Sequence, residues 1–231
     1  MEIKFLGYGG AFDYQQGNSS AILKIGSKSI LIDCGHSVYP ILRKLNKTEE
    51  IDYIFITHLH DDHVGSLSSF LIYKKIFSSP VKLVFPDLKF KKTIIDFLSF
   101  SLQNPEKYFD FIDIKDVGFA DFIDTENFHV KGMQTYSYLF KENHENLVYS
   151  GDMNNPEFLI QKLKDKGINS GKIFHDVTFI KSNKAHTFYK DVERLPTNFD
   201  VYGYHYNPEN KPKDCKLKLV GEQDDLLFNK A

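Results

Sequence analysis

Tryptophan is absent from this 231-residue chain, arginine occurs only as Arg43 and Arg194, and cysteine only as Cys34 and Cys215. Without tryptophan, any stacking on a base falls to the 21 Phe and 13 Tyr. So few arginines leave bidentate readout of bases scarce. Two cysteines cannot build a disulfide framework, and a reducing cytoplasm is the expected setting. No stretch approaches the roughly 20 apolar residues of a transmembrane helix, so no membrane partner is expected. Residues Met1 to Leu6 lack the basic start and long apolar run of a signal peptide. Neither sign of charge dominates: 29 basic residues face 31 acidic ones, for a net charge of -2. That balance disfavours nonspecific coating of nucleic acid, whose affinity comes from phosphate neutralisation. A local basic groove keeps nucleic acid as a lesser candidate partner. Repeats and low-complexity segments are missing too. With 42% hydrophobic and 26% charged residues, the chain reads as globular, neither disordered nor collagenous.

Strands alternate with helices along the sequence. Period-two or continuous apolar runs predict strands over 2–6, 20–25, 28–33, 52–57 and 81–85. Gly26-Ser27 suits a tight hairpin between the second and third. Helices are predicted over 37–47, 64–77 and 88–103. Short strands follow near 117–123, 127–131, 135–140 and 146–150. A helix over 156–166 opens with Asn155-Pro156-Glu157, where proline and an acidic first turn favour a start. A strand over 172–177, a helix over 187–195 and a strand over 201–204 complete the pattern, leaving the polar tail 207–231 unassigned. The alternation predicts an α/β architecture.

Three of the nine histidines sit in Thr57-His58-Leu59-His60-Asp61-Asp62-His63. The preceding strand is apolar, so the cluster is expected in a loop at a strand's C-terminal end. Alternate residues His58 and His60 can face one way, while Asp62 and His63 reach a second point. Imidazole and carboxylate are suitable ligands for zinc and similar ions. His129 alone is weaker, since a lone strand histidine is more often structural.

His58-x-His60-x-Asp62-His63 resembles the signature of the metallo-β-lactamase fold superfamily. Supporting marks span residues 3 to 206. Phe5-Leu6-Gly7-Tyr8-Gly9-Gly10 and Gly17-Asn18-Ser19-Ser20 look like its ribonuclease Z-like branch. Leu31-Ile32-Asp33-Cys34-Gly35, His129, Tyr149-Ser150-Gly151-Asp152 and Tyr204-His205-Tyr206 follow in the expected order. The resemblance implies a single domain over 1–231, a four-layer αββα sandwich of the α/β (α+β) class, with two metals at one end. It assigns His58, His60 and His129 to one metal, and Asp62, His63 and His205 to the other. Asp152 would bridge them, with Asp33 and Thr57 orienting the imidazoles from behind. The mixed His/Asp set leans to zinc, with manganese as the alternative. Two such cations roughly 3.5–4 Å apart can hold a hydroxide at neutral pH.

His175-Asp176-Val177-Thr178 and Ala185-His186-Thr187 resemble the acid-donor motifs of the same branch, with Asp176 in place of glutamate. The resemblance implies that Asp176 orients His186, which protonates the leaving oxygen. The catalytic candidates are therefore His186, Asp176 and the metal-side Asp62. His175 is expected to pack or to support the site, and His36 and His144 to be surface residues. Only 23 residues lead from His129 to Asp152, leaving no room for the protruding arm of transfer-RNA-processing enzymes. His129-x-x-Gly132-Met133-x-x-Tyr136, His175-Asp176-Val177-Thr178-Phe179 and Tyr202-Gly203-Tyr204-His205 look most like the anti-Pycsar phosphodiesterases. That resemblance implies hydrolysis of cyclic nucleotide second messengers, disarming an immune signal, and a homodimer. An arm-less RNA endonuclease is the alternative. Phe12 and Tyr14 are candidate base-stacking rings, or simply loop packing.

Overall fold

The computed structural model describes residues 1–228. The first half of the chain forms one six-stranded sheet: β1 (Glu2–Gly7), β2 (Ser20–Ile25), β3 (Lys28–Ile32), β4 (Tyr53–Phe55), β5 (Val81–Phe85) and β6 (Phe109–Asp113), in that spatial order. The second half forms another: β7 (Ala120–Asp124), β8 (Tyr136–Glu142), β9 (Glu145–Tyr149), β10 (Gly171–Asp176), β11 (Phe199–Tyr204) and β12 (Lys218–Leu219). Each sheet begins with two antiparallel pairings and continues with three parallel ones. Helices α1 (Val38–Lys44), α2 (Asp61–Val64), α3 (Leu67–Phe77) and α4 (Leu88–Ser99) make the crossovers of the first sheet. Helices α5 (Pro156–Asp165) and α6 (Tyr189–Glu193) make those of the second. No helix among the described residues is long and apolar enough to cross a membrane.

Many of the aromatic rings pack between the sheets. Phe5 on β1 meets Phe174 on β10 at 5.3 Å between ring centroids, and Phe55 on β4 meets Tyr138 on β8 edge-on at 5.0 Å. Such tilted and edge-on pairs suit the ring quadrupole. The buried Tyr138 hydroxyl donates to Ile56 O at 2.8 Å, joining the two sheets. A second cluster places Leu159, Ile160 and Leu163 of α5 against Leu139, Val148 and Ile173 on the outer face of the second sheet. This α5 starts as expected, with Pro156 at the first turn and Asn155 accepting from Phe158 N at 2.9 Å. Helix α4 is capped likewise by Asp87.

The Gly26-Ser27 hairpin forms, with Gly26 at φ 54°. Other expectations change. Residues 127–131 are turns, not a strand, because Thr125 and Thr135 pair with each other (N to O and Oγ1 to Oγ1, both 2.9 Å) and close the intervening segment into a loop. His129 therefore lies on a loop. Asp61, Asp62 and His63 form their own helical turn, and α3 begins only at Leu67. The break falls at Gly65-Ser66, where Ser66 Oγ bonds to Gly35 O at 2.5 Å, and a Cβ on Gly65 would lie 2.6 Å from Asp61 O. The sequence pattern passed over β6, whose Phe109-Asp110-Phe111-Ile112-Asp113 is a partly exposed edge strand. The tail contributes β12 and buries Leu219, Val220 and Leu226.

Candidate metal centre

The functional residues gather where the parallel strands of both sheets end. Ligands of open α/β sheets bind in this position, beyond the carboxyl ends of the strands. Asp33 leaves β3 at φ 61°, fully buried. Its Oδ1 accepts from Thr57 N at 2.7 Å, and its Oδ2 from Thr57 Oγ1 at 2.9 Å and His63 Nδ1 at 2.8 Å. Thr57 Oγ1 also accepts from His58 Nδ1 at 3.1 Å. These bonds fix two tautomers: His58 and His63 both turn Nε2 toward the centre. His129 does the same, donating from Nδ1 to Ala185 O at 2.9 Å.

Three four-residue sets of possible ligands result, and the third, Asp152, Asp176, His186 and His205, overlaps the acid-donor pair. The first two hold all seven metal ligands named in the sequence. His58, His60, His129 and Asp152 place ligand atoms within 4.8 Å of one another, and so do Asp62, His63, Asp152 and His205. Asp152 belongs to all three. Its Oδ2 lies 3.8 Å from His58 Nε2, 3.9 Å from His129 Nε2, 3.5 Å from His63 Nε2 and 3.4 Å from His205 Nε2. His60 contributes Nδ1, 3.0 Å from both His58 Nε2 and His129 Nε2. His205 Nε2 and His63 Nε2 lie 3.1 and 3.3 Å from Asp62 Oδ2. All seven residues named in the sequence are brought together.

The electrostatics are those of a site that expects a cation. Burial, then neighbouring imidazoles, holds His58 well below the usual histidine range, and His60 is lowered for the same reasons. Burial opposes ionisation of Asp152, yet His205 and His63 hold its carboxyl well below the usual range. His63 Nε2 and Asp152 Oδ1 are buried without a hydrogen-bond partner. Unpaired polar atoms at such depth are costly and rare in native structures. Three imidazoles with a carboxylate, and two imidazoles with two carboxylates, are a chemistry that divalent cations such as zinc accept. The residues therefore fit divalent metal ions.

Gly151, between β9 and Asp152, sits at φ 63°, where a Cβ would lie 2.8 Å from Tyr136 O. Only glycine turns the chain there. Beside the first two sets, Asp176 Oδ2 accepts from His186 Nδ1 at 2.7 Å, and His186 Nδ1 is 3.7 Å from Asp152 Oδ2. Burial works against a charged His186, but the bond to Asp176 and the charge of Asp152 push it up to about 9. A cavity of about 910 Å³ opens over these groups, lined by His60, Asp62, His129, Asp152, His186 and His205 among others. No lysine or arginine among the described residues lines it.

The family model described as anti-Pycsar protein Apyc1 matches residues 1–224. The chain belongs to this family. An Apyc1 protein from Paenibacillus sp. (strain J14) is 30% identical over 232 residues, covering 90% of each chain. One from Bacillus phage BSP38 is 30% identical over 206 residues, covering 77% of each. The metallo-β-lactamase fold protein YhfI from Bacillus subtilis superposes with a TM-score of 0.70 at 15% identity, over 88% of this chain and 85% of that one. The short form of human tRNase Z gives 0.65 at 17%, over 91% and 95%. The fold is thus the four-layer metallo-β-lactamase sandwich.

Within this Apyc1 family member, three peripheral histidines fall into different places. His175 is buried and donates from Nδ1 to Asp176 O at 2.8 Å, bracing the acid strand. His144 sits in the β8–β9 turn, as expected of a surface residue. His36 is exposed, as expected of a surface residue, and it also lines the cavity, with Nε2 2.7 Å from Asp61 Oδ2. Its place after β3, one residue beyond Gly35, was the available signal. Ala185 also escaped the sequence reading, because a carbonyl ligand to His129 leaves no trace in residue type.

Proposed function

We propose that the chain is a metal-dependent phosphodiesterase that hydrolyses 3′,5′-cyclic nucleotide second messengers to linear monophosphates. In a cell it would remove a cyclic-nucleotide immune signal. His58, His60, His129 and Asp152 would hold one divalent cation, and Asp62, His63, His205 and Asp152 a second, with zinc favoured over manganese. When bound, the pair supplies an activated water and offsets the charge on the phosphate oxygens.

The observation that carries the reading is the Asp176–His186 pair facing the cavity beside Asp152. Asp176 holds His186 through Nδ1, which leaves Nε2 to carry a proton toward substrate. An alkoxide is a poor leaving group, and a carboxylate-held imidazolium protonates the departing ribose oxygen as the bond to phosphorus breaks. A thioester, whose thiolate leaves unprotonated, needs no such donor. His129 and Asp62 orient substrate only through the cation sites, whereas His186 acts on it directly.

The wall of the cavity supports a small substrate. An RNA strand carries a charge on every phosphate and is met by lysine and arginine. Here none lines the cavity among the described residues, and the single charge of a cyclic mononucleotide falls on the cation sites. The enzyme is proposed to work as a single-domain homodimer in the cytoplasm. Product analysis of metal-loaded protein with cyclic CMP, UMP, AMP and GMP, beside a structured RNA, tests the reading. Conversion to linear monophosphates is expected. RNA cleavage with the cyclic nucleotides untouched replaces it with the arm-less endonuclease.

A further inference from the structure

Most of the large side chains are buried, yet Phe12 and Tyr14 are 90% and 91% exposed. Both stand on the β1–β2 loop, and both line the cavity that holds His60, Asp152 and His186. Their exposure does not come from a slack loop. Gly9 N donates to Gly17 O at 2.9 Å and Tyr8 N to Gln16 O at 3.3 Å, closing the base. Asp13 N donates to Gly10 O at 3.2 Å, and Asp13 Oδ1 accepts from Gln15 N and Gln16 N at 3.1 and 3.2 Å. Gly7 lies so close to the returning strand that a Cβ would sit 2.5 Å from Asn18 O. Asp13 is thereby turned into the loop, and the residues on either side of it are turned out. Val130, 43% exposed, lines the cavity as well.

Large apolar surface held in water at the rim of a cavity with a polar floor is unfavourable until something covers it. The cation sites at the floor take a phosphate. What remains of a nucleotide is a flat, weakly charged ring. We infer that Phe12 and Tyr14 form the platform on which the nucleobase stacks, with Val130 lining the cavity as a further apolar contact. The cavity volume lies within the about 300–1,000 Å³ of small-molecule sites, ample for a mononucleotide that reaches from floor to rim. Aromatic stacking of this kind needs no hydrogen bond to the base edge.

The inference rests on the nucleotide reading above, and the test separates the two. Phe12→Trp gives the chain its single tryptophan, since none is present. In the metal-loaded full-length variant, 5′-AMP and 5′-CMP should quench or shift the indole emission, while ribose 5-phosphate and inorganic phosphate leave it unchanged. In the Phe12→Ala/Tyr14→Ala double variant, KM for the cyclic nucleotides should rise about 5- to 150-fold, the loss falling mainly on KM. Unchanged emission while calorimetry shows 5′-AMP bound overturns the platform. Emission that follows protein concentration rather than nucleotide overturns it also, and places a second copy of the chain on the loop. Quenching by nucleotides in a protein that hydrolyses no cyclic nucleotide keeps the platform and removes the phosphodiesterase.

Discussion

Thr57 shows how much one small residue organises. Its backbone and hydroxyl both bond to Asp33, and the same hydroxyl settles the tautomer of His58. Residues around the centre divide by what they touch, and substitutions should divide the same way. Asp152→Ala or His60→Ala should abolish turnover and lower bound metal, measured by elemental analysis. His186→Ala should keep its metal and lose roughly 100- to 10,000-fold in kcat, the usual worth of general acid catalysis. Asp176→Asn should follow His186→Ala with a smaller loss and unchanged metal content; loss of metal instead would make Asp176 structural support. The two cysteines differ as sharply. Burial, with Asp33 nearby, pushes the Cys34 thiol up to about 12, while Cys215 is partly exposed. A disulfide-exchange reagent at pH 8 should titrate one thiol in the native protein and two after denaturation, because the thiolate is the reactive form. Two rapid native thiols would contradict the burial of Cys34.

Loops rather than strands bring the second half of the chain to the centre, and they are tied to one another. His129 donates to Ala185 O, Asn154 Nδ2 donates to Lys184 O at 2.6 Å, and Thr187 Oγ1 donates to Met153 O at 2.9 Å. The segment carrying His186 thus leans on an imidazole that also faces the cation site. Removing metal with a chelator should speed hydrogen exchange over 178–187 and 125–135 while leaving β8 and β9 protected; equal protection in both states would show that the loops stand without the cation. These ties explain what the sequence could and could not disclose. His58, His60, Asp62 and His63 are contiguous and follow an apolar strand, so spacing alone points to metal chemistry. His129, Asp152, His186 and His205 are each isolated in sequence, and only resemblance to a known motif order singled them out. The strand expected at 127–131 gave way to a loop because the Thr125–Thr135 pairing, between residues ten apart, is invisible to periodicity. β6 was passed over because an edge strand with acidic residues has little apolar contrast.

Each half of the chain repeats one pattern of pairings, and neither half owns a complete site. Asp152, in the second half, is shared by ligand sets whose other members come from both. A cation bound there favours only the assembled pair of sheets, by mass action. Metal at about 100 times its dissociation constant should add about 2.7 kcal/mol, read as a rise in Tm that a chelator reverses. His63→Ala should blunt that rise; an undiminished rise would place the stabilising ion elsewhere. The division into halves also bears on how the protein is made. When β6 leaves the ribosome, Phe5 and Phe55 are already outside it, but Phe174 and Tyr138, which cover them, have not yet emerged. At about 5–20 residues per second, the rest of the chain takes on the order of 5–20 s to follow. Throughout that interval one face of a finished sheet lies bare, a standing invitation to chaperones and to neighbouring nascent chains.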